Sequence, residues 1–286
     1  MRKITIAILA LIVLAMIIPI GFSGEANSVV VTYGEATHSN SDYKSTVDDF
    51  FKSQANVDLN GADSKIITAD QVNKISTGIT GKTYSSNQIL SSALVDLNDN
   101  AKLQVSVDKS KITTVTGDMY ISALKSAGIT AGHVYVTSPV SATGESALAG
   151  IMNSYEAATN VEIPEKVKEA AADEISTQAE IVDNSGVDPN SLSKLVDDVK
   201  QEVSKDNITD HNTIVNIINN YVQNNNINIT NTDIENLADS IEQVQNVQGD
   251  VNYYKGQVSG FMGNATSNGF SIEGILDWIK SFINGI

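Results

Sequence analysis

"YVTSPVSATGESALAGIM", residues 135–152, decides how the chain folds. Val134 to Thr137 form a β-branched run, and residues 138–143 are turn-formers. Gly144-Glu145-Ser146-Ala147-Leu148 then opens a helix that sets Leu148, Ile151, Met152 and Tyr155 on one stripe. Strand, turn and helix in this order make the repeating unit of α/β proteins. The same corner is where hydrolases put a nucleophilic serine, within G-x-S-x-G. Here Leu148 stands where the second glycine belongs, and His211 is the single histidine after Ser146. A helix start explains the stretch more simply, with Ser141, Thr143 or Gly144 as cap and Glu145 in the first turn, where the helix dipole favours it. No residue is therefore assigned to catalysis.

Working outward, residues 28–160 read as a mixed α/β (α+β) domain. Ser28 to Tyr33 is a β-branched run closed by Gly34. "SDYKSTVDDFFKSQ" (41–54) places Tyr43, Val47, Phe50 and Phe51 on a helical stripe, with Ser41 as the expected cap. Lys65 to Thr68 is a short strand and residues 69–76 a short helix. "ILSSALVDL" (89–97) and "KLQVSV" (102–107) flank Asn98-Asp99-Asn100-Ala101, which predicts a hairpin. "GDMYISALKSAG" (117–128) is a helix, with Thr116 in capping range and Gly128 at its C-terminal end. The order β-α-β-β-β-α-β-α implies a mixed sheet with helices packed on it.

Downstream the texture changes to an all-helical module over 162–262. A first helix follows Pro164, with Val167, Ala171 and Ile175 in register, and a second follows Asp188-Pro189. A third carries Ile214, Ile217, Ile218 and Tyr221. The fourth and longest is expected to run from about Thr232 through Val251. Between the last two, nine of the twenty residues from Asn212 to Asn231 are asparagine, which predicts a solvated turn. A Gly, Asn, Ser and Thr stretch around 263–270 reads as a flexible hinge. Residues 271–286 then form an amphipathic terminal helix holding the only tryptophan. Its polar face has Lys280 against Glu273 and Asp277, whereas membrane-interface helices carry a basic face. Docking on the bundle or on a partner is the expectation for it.

The N-terminus bears on location. Met1-Arg2-Lys3 precedes nineteen uncharged residues, "ITIAILALIVLAMIIPIGF", and small residues follow at Gly21 and Ser23 or at Gly24 and Ala26. Residues 1–26 thus read as a signal peptide or, because the apolar run is long enough to span a bilayer, an N-terminal membrane anchor. Either way the rest is expected outside the cytoplasm, secreted or held at the cell surface. The 286 residues include 18 basic and 34 acidic ones, net −16, and loss of Arg2 and Lys3 brings the exported part to −18. This balance excludes a general nucleic-acid binder, which needs clustered Lys and Arg. The chain has no cysteine, so thiol catalysis, thiolate zinc sites and disulfides are excluded.

Searches for chemistry return little. His38 and His133 have no second ligand at metal-binding spacing. Asp96-Leu97-Asn98-Asp99-Asn100 begins like a calcium loop, but Ala101 and Val107 stand where the glycine and the bidentate acid are required. No metal or cofactor is assigned. Three N-x-[ST] sequons, at Asn207, Asn228 and Asn264, are candidate glycosylation sites, each expected in a loop.

Four segments together, "VVVTYGE" (29–35), "SSNQILSSALVDL" (85–97), "TGDMYISALKSAGITAGHVYVTSPV" (116–140) and "GESALAGIMNSYE" (144–156), resemble the YpuA-like family of exported bacterial and archaeal proteins, a domain-of-unknown-function family. The resemblance implies export and a shared plan of α/β domain plus helices. It brings no catalytic residues. The expectation is an extracytoplasmic, non-enzymatic interaction protein with an unknown protein or cell-envelope partner, touching membrane only through an uncleaved N-terminal segment. The alternative is a secreted hydrolase of unfamiliar type using carboxylates or Ser146 of the α/β domain.

Overall fold

A computed structural model describes residues 28–76, 83–98 and 102–265. The expected signal or anchor (1–26) and terminal helix (271–286) lie outside the described residues. The chain opens with strand β1 (Val29–Gly34), helix α1 (Glu35–Ser39) and helix α2 (Ser41–Ala55). Strand β2 (Asp63–Ile67), helix α3 (Ala69–Ser76), strands β3 (Ser92–Asp96) and β4 (Gln104–Val107), helix α4 (Gly117–Ser126), strand β5 (His133–Thr137) and helix α5 (Ala147–Thr159) follow. Helices α6 (Glu165–Ser185), α7 (Pro189–Lys205), α8 (His211–Asn224), α9 (Asn231–Asn246) and α10 (Gln248–Ala265) are the remaining elements of the described residues.

The five strands form one mixed sheet in the order β2-β1-β3-β5-β4. The outer pairs β1·β2 and β5·β4 are parallel, and the central β3 runs antiparallel to both of its neighbours. Each parallel pair is joined by a helical crossover, as parallel strands require. The predicted mixed sheet with flanking helices is what the chain builds. The predicted hairpin is not: β5 lies between β3 and β4. Asn98 begins a chain reversal, but a reversal fixes direction and not adjacency. The seven residues between Asp96 and Gln104 suffice to step over one strand.

The side chains alternate between the two faces. One face presents Val30, Thr32, Ala93, Val95, Val134 and Val136, all buried. Helix α5 lies across it so closely that a side chain at Gly150 would press on Thr32 Cγ2 at 3.2 Å, and the Thr32 and Ser154 hydroxyls meet at 2.6 Å. Leu148, Ile151, Met152 and Tyr155 all face this core, as their spacing predicts. The opposite face packs Val31, Tyr33 and Leu94 under Val47 and Phe51 of α2. Asn40, not Ser41, caps α2, its side chain accepting from the Asp42 and Tyr43 amides. Thr116 caps α4 as expected, accepting from the Met119 amide.

The change from sheet to helices at 160–162 is not a change of core. Val167, Ala170, Ala171, Ile175 and Ala179 of α6 belong to the sheet's main core, while Ile181 joins a second core with α7, α8 and α9. At 21 residues, α6 is about 32 Å long, enough to serve both cores. It is also longer than the expected fourth helix, because the pattern from Thr232 to Val251 is broken at Val247 into α9 and α10. Ile234, Leu237 and Ile241 lie in the second core, whereas Val244, Val247, Val251 and Tyr254 around the break face the first. The asparagine-rich stretch is mostly helix α8. Only residues 225–230 are turn, and there Ile227 and Ile229 still pack on the second core. Helix α10 continues through Ala265, so the first residues of the expected hinge are helical; 266–270 lie outside the described residues.

Candidate functional site

Ser146 and its neighbours lie at the start of a helix. Helix α5 starts at Ala147, with Ser146 as its cap residue in helical geometry and no side-chain capping bond. None of Ser141, Thr143 or Gly144 caps it. Gly144 instead adopts φ +106°, and a side chain there would reach 2.7 Å from Ile112 Cγ2 and 2.8 Å from the Tyr120 hydroxyl. That hydroxyl, on a fully buried ring, donates to the Gly144 carbonyl at 2.5 Å. The glycine that looked like half of a nucleophile elbow holds a turn against the core. Neither ring nitrogen of His133 or of His211 is directed at Ser146, since all four face other groups described below.

Asn207 and Asn228 are exposed in inter-helix turns, as a glycan acceptor must be. Asn264 lies within α10 and not in a loop. Asp96 belongs to β3, and its carboxylate accepts from the Asn98 amide at 2.8 Å, which makes this half of the calcium-like segment a turn. Asp99 and Asn100 lie outside the described residues.

The structure assembles three polar constellations that the linear sequence does not show. The first lies on the α2 side of the sheet, whose character changes across its width. Across β1 and the middle of β3 the face is apolar, with Val31, Tyr33 and Leu94. On β5 and β4 it carries His133, Tyr135, Gln104 and Ser106, with Asp96 directly across from His133. Ser106 Oγ lies 3.0 Å from His133 Nε2, and His133 Nδ1 lies 3.0 Å from the Tyr135 hydroxyl. The two rings stack with centroids 4.1 Å apart. One step along, Thr137 donates to Asp108 Oδ2 at 2.7 Å. These contacts give a rigid polar strip on the outer half of a half-covered sheet face. His133 and Tyr135 could be placed on one face from their i, i+2 spacing, but Ser106 joins them only through the β4·β5 register.

The second constellation is buried between α4, α6 and α7. Lys200 Nζ donates to Glu174 Oε1 at 2.7 Å, to Ser122 Oγ at 2.8 Å, to Ser126 Oγ at 2.9 Å and to the Ser122 carbonyl at 3.1 Å. Ser126 donates to Glu174 Oε2, and the Ser122 hydroxyl sits between Glu174 and Asp197 at 2.6 and 2.7 Å. Burial works to raise the Asp197 carboxyl, but Lys200, the Ser122 hydroxyl and Lys125 outweigh it and bring the pKa below the ordinary value. Serine–lysine catalysis needs a lysine that takes the serine's proton. Here the serine protons point to carboxylates and the lysine is the donor. The cluster is a polar lock joining the α/β half to the helices.

The third constellation is on the surface between α8 and α9. His211 Nε2 lies 2.9 Å from Glu235 Oε2, and Nδ1 lies 3.3 Å from both Asp239 Oδ1 and Glu242 Oε2. The Glu235 hydrogen bond and the neighbouring carboxylates raise the imidazole pKa above its usual value, against an opposing effect of burial. Glu235, Asp239 and Glu242 are at i, i+4 and i+7, one face of a helix. That spacing is visible in the sequence, but nothing there says that His211 faces it.

With this architecture in place, comparison with known proteins gives the chain its class. Residues 33–261 match the family model described as "Protein of unknown function (DUF1002)", and the chain belongs to that family. It is 26% identical over 296 residues to the "Uncharacterized protein YpuA" of Bacillus subtilis (strain 168), covering 100% of this chain and 98% of that one. No solved structure matches it.

Proposed function

We propose that the protein is an extracytoplasmic binding protein that recognises a polar ligand or partner at the cell surface through the outer half of its sheet face. Export rests on the basic, apolar and small-residue succession over 1–26, and on a chain whose stability needs no disulfide. The observation that carries the binding reading is the strip formed by Gln104, Ser106, Asp108 and His133. It is a set of donors and acceptors fixed on a rigid sheet, with the His133 ring stacked on Tyr135. The helical half acts as an acidic spacer or second surface.

The test places a photo-crosslinking residue at the exposed Gln104 of the full chain, on intact cells. A discrete higher-mass adduct that disappears with His133→Ala is the expected result. Recovery of only unpartnered monomer in the medium counts against the reading.

The Ser106–His133 contact supports a second reading, a secreted hydrolase with Ser106 as nucleophile. A serine hydroxyl within 3.0 Å of an imidazole whose other nitrogen is held by Tyr135 has the nucleophile, base and orienting group of such enzymes. Fluorophosphonate labelling lost on Ser106→Ala would establish it; labelling unchanged by Ser106→Ala, or none, would discard it.

A further inference from the structure

Helix α8 begins at His211, immediately after its cap Asp210, whose side chain accepts from the Thr213 amide at 2.9 Å. The ring is therefore held at a fixed helix end, facing one side of α9. Its Nε2 makes an ordinary hydrogen bond with Glu235 at 2.9 Å. Its Nδ1 does not. Nitrogen-to-carboxylate hydrogen bonds that involve charge are about 2.7–2.9 Å long. Both Nδ1 distances, to Asp239 Oδ1 and to Glu242 Oε2, are 3.3 Å. One ring nitrogen carries at most one proton, so it cannot serve two carboxylates.

The same separations have a direct meaning in metal chemistry. Tetrahedral zinc with bonds of about 2.0–2.1 Å to nitrogen and oxygen has ligand atoms about 3.3–3.4 Å apart, since the edge is roughly 1.63 times the bond. The Nδ1, Asp239 and Glu242 ligand atoms all lie within 4.8 Å of one another. Two edges already have the tetrahedral length. Glu235 completes the pattern from outside: a carboxylate on the far nitrogen of a metal-binding imidazole fixes its tautomer and strengthens it as a ligand. With Nε2 donating its proton to Glu235, the Nδ1 lone pair is free to point between Asp239 and Glu242.

We propose that His211 Nδ1, Asp239 and Glu242 bind a divalent transition-metal ion of the zinc type, with Glu235 as the residue that positions the ring. Two carboxylates balance the ion's charge. One imidazole nitrogen among them favours zinc over calcium or magnesium, which prefer all-oxygen shells. The protein supplies three ligands and leaves the fourth corner toward solvent, where Asp239 is 66% exposed. That corner takes water or a ligand from another molecule. The ion would also tie the N-terminal end of α8 to α9.

The test is calorimetric titration of the full chain, stripped with chelator, with zinc chloride at neutral pH, and with calcium and magnesium chloride in parallel. One zinc per chain with a dissociation constant in the micromolar range or tighter is expected, with calcium and magnesium far weaker. Removing a ligand by His211→Ala, or two by Asp239→Asn with Glu242→Gln, abolishes the binding. Glu235→Gln weakens it by about 10- to 100-fold, as outer-shell changes do. His133→Ala leaves it unchanged. Equal melting temperatures of all variants in chelator confirm that the fold is retained. Zinc binding that survives His211→Ala, or none tighter than about 1 mM, overturns the proposal.

Discussion

A lysine and a histidine in this molecule each sit among carboxylates, and their surroundings differ in one respect. Lys200, 12% exposed, has three protons to give and finds acceptors for all of them at normal distances from Glu174, Ser122 and Ser126. His211, 31% exposed, has two nitrogens and faces three carboxylates, two of them at 3.3 Å, longer than a charge-assisted hydrogen bond. The buried cluster is closed, with donors matched to acceptors, and its role is to hold helices together. The surface cluster has more acceptors than protons, and that surplus is what a metal ion satisfies. Counting protons against lone pairs separates a structural cluster from a binding site where burial or charge alone would not.

The largest effect is expected in the closed cluster. Lys200→Met leaves the buried Glu174 without its cation and should cost about 3–5 kcal/mol in denaturant unfolding. Replacing Glu174 as well, by Leu, should recover most of that loss, because Asp197 keeps Lys125 at 3.0 Å. A double variant as unstable as the single one would mean that the lock contributes through packing and not through charge balance.

Next in size is the turn before α5. Gly144→Ala forces a side chain onto Tyr120 and Ile112 at φ +106° and should cost roughly 2–3 kcal/mol. Ser146→Ala, two residues away, should change stability by less than about 0.5 kcal/mol. The opposite ranking would return functional or structural weight to Ser146.

Asp173 lies on α6 and feels charges from both clusters. Burial is the main cause that pushes its carboxyl from 3.8 up to about 6, and the charges of Asp239 and Glu174 add to it. The folded state therefore holds this proton more tightly than the unfolded chain does. Its contribution favours the fold at low pH and is lost as pH rises from about 4 through about 6. Asp173→Asn should raise stability by about 1–2 kcal/mol at pH 8 and by little at pH 4, read from melting curves. The smallest effect is at the open cluster, where His211→Ala without metal should change stability by less than about 0.5 kcal/mol, since its ion pairs are on the surface.

Much of the fold was legible because it is written in local periodicity. The stripe Leu148, Ile151, Met152, Tyr155 and the cap at Thr116 each stand where their spacing puts them. The hairpin failed because strand adjacency is a tertiary choice. The chain reverses between β3 and β4, but β5, more than twenty residues further on, is the better partner for both. The break at Val247 was hidden because Val244, Val247 and Val251 are all apolar and all face the same core, so the pattern runs through it without a gap. The polar sites were least legible. Ser106 meets His133 through a strand register, and His211 meets Glu235 across two helices, so neither pair has a spacing that a sequence motif records.

The contrast between the closed and open clusters is tested most directly by the histidine nitrogens themselves. Long-range proton–nitrogen spectra of the full chain, at about pH 8, can be compared in chelator and with one equivalent of zinc, where a neutral imidazole's two nitrogens are distinct. The predicted result is a shift of His211 Nδ1 to the metal-bound range, with Nε2 keeping its proton toward Glu235 and with His38 and His133 unmoved. Zinc that leaves His211 unmoved, or that shifts His133 or His38 in its place, would contradict the account.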